Sequence, residues 1–138
     1  MNAGQPRPRD TGSGRPLLDK LGVKAGMRIA LVAFEDAPFA SDLAARGAAV
    51  VEPEAGLDML FFRVDQPAEL HRIGELRRLI HDAGAIWVLR TKGSGLTVRD
   101  VDVIEAGRVF DLVDNKIASF SDTLAAMRLV VPLNQRRN

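Results

Sequence analysis

The chain has no cysteine, which excludes disulfide staples, thiolate nucleophiles, zinc–thiolate sites and iron–sulfur clusters. It has only two histidines in 138 residues, too few for most imidazole-based metal sites, and no metal site is expected. An excess of one charge is also missing. Nineteen Lys and Arg face eighteen Asp and Glu, a net charge of +1, whereas a dedicated nucleic-acid binder carries a marked basic excess. No run of about 20 apolar residues occurs, so neither a transmembrane helix nor membrane association is expected. The N-terminal stretch lacks the apolar centre of a secretory signal, which leaves the cytoplasm as the expected location.

What remains is 46% hydrophobic and 27% charged residues, the balance of one soluble globular domain. Residues 1–15 (MNAGQPRPRDTGSGR) bury too little apolar surface to offset their ordering entropy, and the expectation is a disordered tail. A single domain is expected over residues 16–133, with a polar tail at 134–138.

Within the domain, apolar strand-like runs alternate with helical patterns, the signature of a mainly parallel α/β sheet covered on both faces. Met27–Ala33 reads as the first strand, and Ala37–Arg46 as a helix with Asp36 as N-cap and Gly47 just past its end. Ala48–Val51 and Leu57–Val64 are the next strands. A long helix is expected over Pro67–Asp82, on the spacing of Leu70, Ile73, Leu76, Leu79 and Ile80, with Gly84 after its end. Ala85–Arg90 reads as a fourth strand, and Thr97–Val109 as a helix capped by Thr97, with Asp100 completing a capping box. Ile117–Ser121 and Met127–Pro132 lie too close together to enclose a crossover helix, and an antiparallel hairpin is expected.

Several stretches resemble a family of small bacterial domains of unknown function. These domains are similar to a trimmed class I S-adenosylmethionine-dependent methyltransferase. The resemblance rests on Pro16–Ala30 (PLLDKLGVKAGMRIA), on Trp87-Val88 followed by Lys92 and Ser94-Gly95, and on Thr123 followed by Arg128-Leu129-Val130. It spans about Pro16 to Val131. It implies a three-layer Rossmann-like sheet, mainly parallel, ending in an antiparallel hairpin. One strand–helix unit is lacking, since only five residues separate Val51 from Leu57.

The departures from a working cofactor site are as informative. A methyltransferase's first strand ends in a glycine-rich loop, because glycine lets the backbone wrap closely around the cofactor. Here the strand runs into Ala33-Phe34-Glu35-Asp36-Ala37-Pro38, and no glycine lies between Gly26 and Gly47. Bulky Phe34 and two carboxylates stand where the cofactor's amino-acid moiety needs space. S-adenosylmethionine is therefore disfavoured, and no cofactor is expected.

Candidate ligand-side residues follow from position. Glu35 ends the first strand, in the usual crevice of open α/β sheets, and Glu52 ends the second, where an acid can hold ribose hydroxyls. These two are the cofactor-side candidates; the plainer alternatives are a solvated Glu35 beside a capping Asp36, and a turn acid at Glu52. Arg90, Lys92, Ser94 and Gly95 form a loop leading to a helix N-terminus and are the anion-binding candidates. The alternative for them is a solvated loop whose charges keep the edge soluble. His71 and His81, ten residues apart on the expected long helix, point in different directions and cannot share a metal. No catalytic constellation is found, and no Ser–His–Asp arrangement surrounds a nucleophile elbow.

Three readings follow. The first is a non-catalytic, degenerate methyltransferase-like module that binds a protein partner or a small ligand. The second is an enzyme with an altered adenosyl or nucleotide pocket. The third is a structural homo-oligomer joined through the hairpin edge or a helical face, which predicts an exposed apolar patch at Phe120, Leu129 or Val131. The first reading is preferred.

Overall fold

A computed structural model describes the backbone of residues 14–93 and 97–136. Helix α1 (Gly14–Leu21) precedes β1 (Arg28–Val32), α2 (Ala37–Arg46) and the short β2 (Ala49–Val50). Then come β3 (Leu57–Arg63), a 3-10 helix (Pro67–Arg72), α3 (Ile73–Arg77) and β4 (Ile80–Thr91). The chain ends with α4 (Asp100–Val109), β5 (Val113–Ser119), β6 (Leu124–Val130) and a 3-10 turn (Leu133–Gln135). The expected N-terminal tail lies mostly outside the described residues, and α1 begins at Gly14.

The six strands form one sheet in the order β2-β1-β3-β4-β6-β5. The first four are parallel, and β6 runs antiparallel to both β4 and β5. Strand side chains alternate between faces, and two separate cores result. Ala30, Leu60, Phe62, Ile86 and Val88 face Leu70, Ile73 and Leu76 of the 3-10 helix and α3, together with Val103 of α4. Ile29, Phe61, Trp87 and Leu89 face Leu17, Leu18 and Leu21 of α1, and Phe39 and Leu43 of α2. This is the three-layer, mainly parallel sheet with an antiparallel finish that the sequence pattern implies. No helix among the described residues is long and apolar enough to cross a membrane.

Local chemistry accounts for the elements that match. The Asp36 carboxylate accepts from the Phe39 amide at 2.9 Å, and Pro stands in the first turn of α2. Gly47, at φ 97°, ends that helix in the left-handed conformation only glycine adopts freely. Trp87 is fully buried, and its indole N–H donates to the Leu21 carbonyl at the C-terminal end of α1, 3.2 Å away. The helix is thereby tied to the centre of the sheet.

The long helix expected over Pro67–Asp82 does not form. Its first turn is 3-10, held where Glu69 accepts from the amides of Asp65 (2.7 Å) and Gln66 (3.2 Å), and α3 stops at Arg77. Ile80, which fits the helical spacing, instead pairs with Leu57 and opens β4. Non-local pairing with β3 overrides a local period that both structures satisfy. Gly84 is therefore inside a strand rather than past a helix. A Cβ there would sit 3.0 Å from the Asp58 carbonyl, so any side chain would press on the backbone of β3 and the close approach favours glycine. His71 is on the 3-10 helix and His81 on β4, both exposed.

Further expectations are corrected. Thr97 does not cap α4. Its hydroxyl donates to the Asp65 carbonyl, while Asp102, rather than Asp100, accepts from the Arg99 amide at 2.9 Å. The amides of Asp65 and Gln66 hold the Glu69 carboxyl, and that of Arg99 the Asp102 carboxyl, below the usual carboxylate range, because accepting an amide favours the charged form. The hairpin strands also begin earlier than read, at Val113 and Leu124. Phe120, Leu129 and Val131 are all buried, so they do not form the exposed apolar patch that the homo-oligomer reading called for.

Candidate functional site

The chain passes from β1 through α2 outward to β2, then returns across β1 to β3 and on to β4. The order therefore reverses between β1 and β3, and the crevice outside their carboxyl ends is where open α/β sheets bind ligands.

On the β1 side the turn into α2 is only Ala33 to Asp36. Ala33 adopts φ 55°, a left-handed conformation that costs a non-glycine residue about 1 kcal/mol. That twist sends Phe34 down into the core, where it is buried. Its ring meets Phe120 edge-on at 5.5 Å and Phe39 at 6.2 Å, and Phe39 in turn touches Phe61 at 5.0 Å. Glu35 points to solvent, and Asp36 is used as the cap of α2. An open cleft of about 450 Å³ lies here, lined by Leu31, Ala33, Phe34 and Glu35.

Glu52, just beyond β2, is exposed in the loop leading to β3. The neighbouring acid in that loop, Glu54, is the one with a charged partner, Arg28.

On the β3 side a smaller cavity of about 240 Å³ is lined by Val64, Asp65, Gln66, Thr91, Thr97 and Val98. The sequence reading did not single out Asp65, Gln66 or Thr97 as site residues. The available signal was the polar pair immediately after an apolar strand and before Pro67.

The structure directs Arg90 and Lys92 to different partners. The Arg90 guanidinium engages Asp100 in the first turn of α4, with Nε 3.0 Å from the carboxylate. The Lys92 ammonium donates to the Ser119 hydroxyl and the Ser121 carbonyl, both at 2.6 Å, and its amide donates to the Thr123 carbonyl. Lys92 thus closes the β5–β6 hairpin against β4. Ser94 and Gly95 lie outside the described residues.

At the opposite ends of the strands, Asp58 gathers a different cluster. It accepts from the Arg28 amide at 2.8 Å and from His81 Nε2 at 2.7 Å, while His81 Nδ1 accepts from the Ala83 amide. Burial alone would raise the Asp58 carboxyl. The Arg28 amide and His81 outweigh it and hold the group below the usual carboxylate range. This cluster ties the starts of β1, β3 and β4 together.

No protein-family model matches the sequence, and no curated protein matches it. Solved structures do match in shape. A SAM-dependent methyltransferase from Aquifex aeolicus superposes with a TM-score of 0.66 at 12% identity, over 85% of this chain and 89% of the other. The magnesium protoporphyrin IX methyltransferase of Synechocystis PCC 6803 gives 0.63 at 10% identity, over 95% and 87%. A SAM-dependent O-methyltransferase from Thermotoga maritima gives 0.60 at 11% identity, covering 99% of this chain and 69% of its own. At these identities the likeness is one of fold. The chain has the Rossmann-like fold of the class I S-adenosylmethionine-dependent methyltransferases, lacking one strand–helix unit.

Proposed function

We propose that this chain is a non-catalytic member of the methyltransferase-like fold, serving as a binding or interaction module for a protein partner or a small ligand. The β1–α2 turn carries the reading. In this fold the turn wraps a cofactor by means of glycine. Here it contains Ala33, whose left-handed backbone aims Phe34 into an aromatic cluster, and Asp36, whose carboxylate takes the Phe39 amide. A helix N-terminus served by its own acid, with Pro38 lacking an N–H, offers little to a ligand carboxylate. The residues present do not fit S-adenosylmethionine, and no chemical step is derived through it.

The test is isothermal titration of S-adenosylmethionine and of S-adenosylhomocysteine into the full chain. Absence of saturable heat up to about 1 mM ligand, an affinity weaker than ~4 kcal/mol, is the expected result. Saturable binding of either compound overturns the proposal.

A further inference from the structure

Arg128 sits at the middle of β6, flanked across the sheet by Trp87 of β4 and Lys116 of β5. Its neighbours Ala126 and Leu124 at alternate positions pack on the α1–α2 side, so Arg128 points to that side too. It is partly buried, and among the described residues it forms no ion pair or hydrogen bond. Among the described residues, the acids of α1 and β5 do not serve it. Asp19, the acid of α1, pairs with Arg46 at 2.9 Å. Asp114 of β5 is opposite Leu129 and therefore faces the other side of the sheet. The last carbonyls of α1 are also taken: Lys20 accepts from the Lys116 ammonium at 2.5 Å and Leu21 from Trp87.

The charged side chain that perturbs Arg128 is another cation. Burial first, and then Arg136, hold the Arg128 guanidinium below the usual arginine range. Arg136 curls back to donate through Nε to the Val131 carbonyl at 2.9 Å, which leaves the other face of its guanidinium unused among the described residues. It also lines an apolar cleft of about 650 Å³ with Val113, Val130, Val131, Pro132 and Leu133. That volume is in the range of small-molecule sites. Arg136 lines the cleft, and Arg128 stands two residues before Val130 on the same face of β6. Among the described residues neither guanidinium meets a carboxylate, an arrangement that an anion with a hydrocarbon body completes.

We propose that the cleft between the start of β5 and the end of β6 binds a small amphipathic carboxylate, its head held by Arg128 and Arg136 and its hydrocarbon body on Val113, Val130 and Leu133. The site lies at the opposite end of the strands from the Phe34 turn. It is therefore independent of whether that turn binds a cofactor.

The experiment is a titration of the full chain with sodium octanoate, followed by amide proton–nitrogen correlation spectra, with acetate and 1-octanol as separate probes. Saturable shifts centred on Val113, Val130 and Leu133 are expected with octanoate. Arg128→Gln should weaken that binding about tenfold or more, the loss of a charge-assisted pair of bonds. Arg136→Gln, on the more peripheral arm, gives the same readout should the Arg128 variant lose its dispersed spectrum. The proposal is overturned by any of three results: no saturation with octanoate, undiminished binding in a folded variant, or acetate or octanol binding as tightly as octanoate.

Discussion

The ring of Phe34 stands edge-on to that of Phe120, 5.5 Å between centroids. This contact joins the turn after β1 to the end of β5, across α2. It converts a position at the mouth of a ligand crevice into a piece of core. Phe34→Ala should cost about 3 kcal/mol of unfolding free energy, the low end for removing a buried ring, and Phe34→Asp more, since a charge would enter the same space. Urea denaturation checks it; an unchanged midpoint in Phe34→Asp would show that the ring does not hold the turn closed.

Adjacent carboxylates in that turn separate by role. Asp36 caps α2 while Glu35 is exposed. Asp36→Ala should lose about 1 kcal/mol, and Glu35→Ala should stay within about 0.5 kcal/mol of the parent. Equal losses in the two variants would be inconsistent with the capping geometry.

A third prediction concerns acid. The Asp58 carboxyl is more acidic in the folded chain than in the unfolded one. Its contribution is therefore fully present above the ordinary aspartate value and is lost as pH falls through the folded value. Asp58→Asn should cost about 1 kcal/mol at pH 7. The gap to the parent should narrow below about pH 4, where the parent's carboxylate protonates first in the unfolded chain and, at lower pH, in the folded one. Stability curves at several pH values decide it, and a gap independent of pH would remove Asp58 from the acid response.

Arg90 and Asp100 make a fourth test. A double-mutant cycle with Arg90→Gln and Asp100→Asn should give a coupling of up to about 1 kcal/mol, reduced in high salt because Asp100 is only partly covered. Additive single effects would mean that the ion pair does not position the first turn of α4.

Where local chemistry was decisive, residues told the structure in advance. The Asp36 cap, the Gly47 terminator and the five-residue return from Val51 to Leu57 each act over a few positions. Together they specify the early β-α-β unit and the missing strand–helix pair. The region from Pro67 to Gly84 was illegible for the opposite reason. Leu76, Leu79 and Ile80 suit a helix locally, and only the partner strand carrying Leu57 draws Ile80 into the sheet.

The same division runs through the site. Composition and order alone determined the fold class, the absence of thiol chemistry and the absence of a glycine turn after β1. They also marked Glu35, Glu52 and Arg90 as residues at strand ends. Only the tertiary structure decided what each side chain meets: Asp100 for Arg90, the hairpin carbonyls for Lys92, and no acceptor among the described residues for Arg128. Strand ends are set by local pattern, but partners come from strands and helices distant in sequence, and their arrival depends on the sheet order.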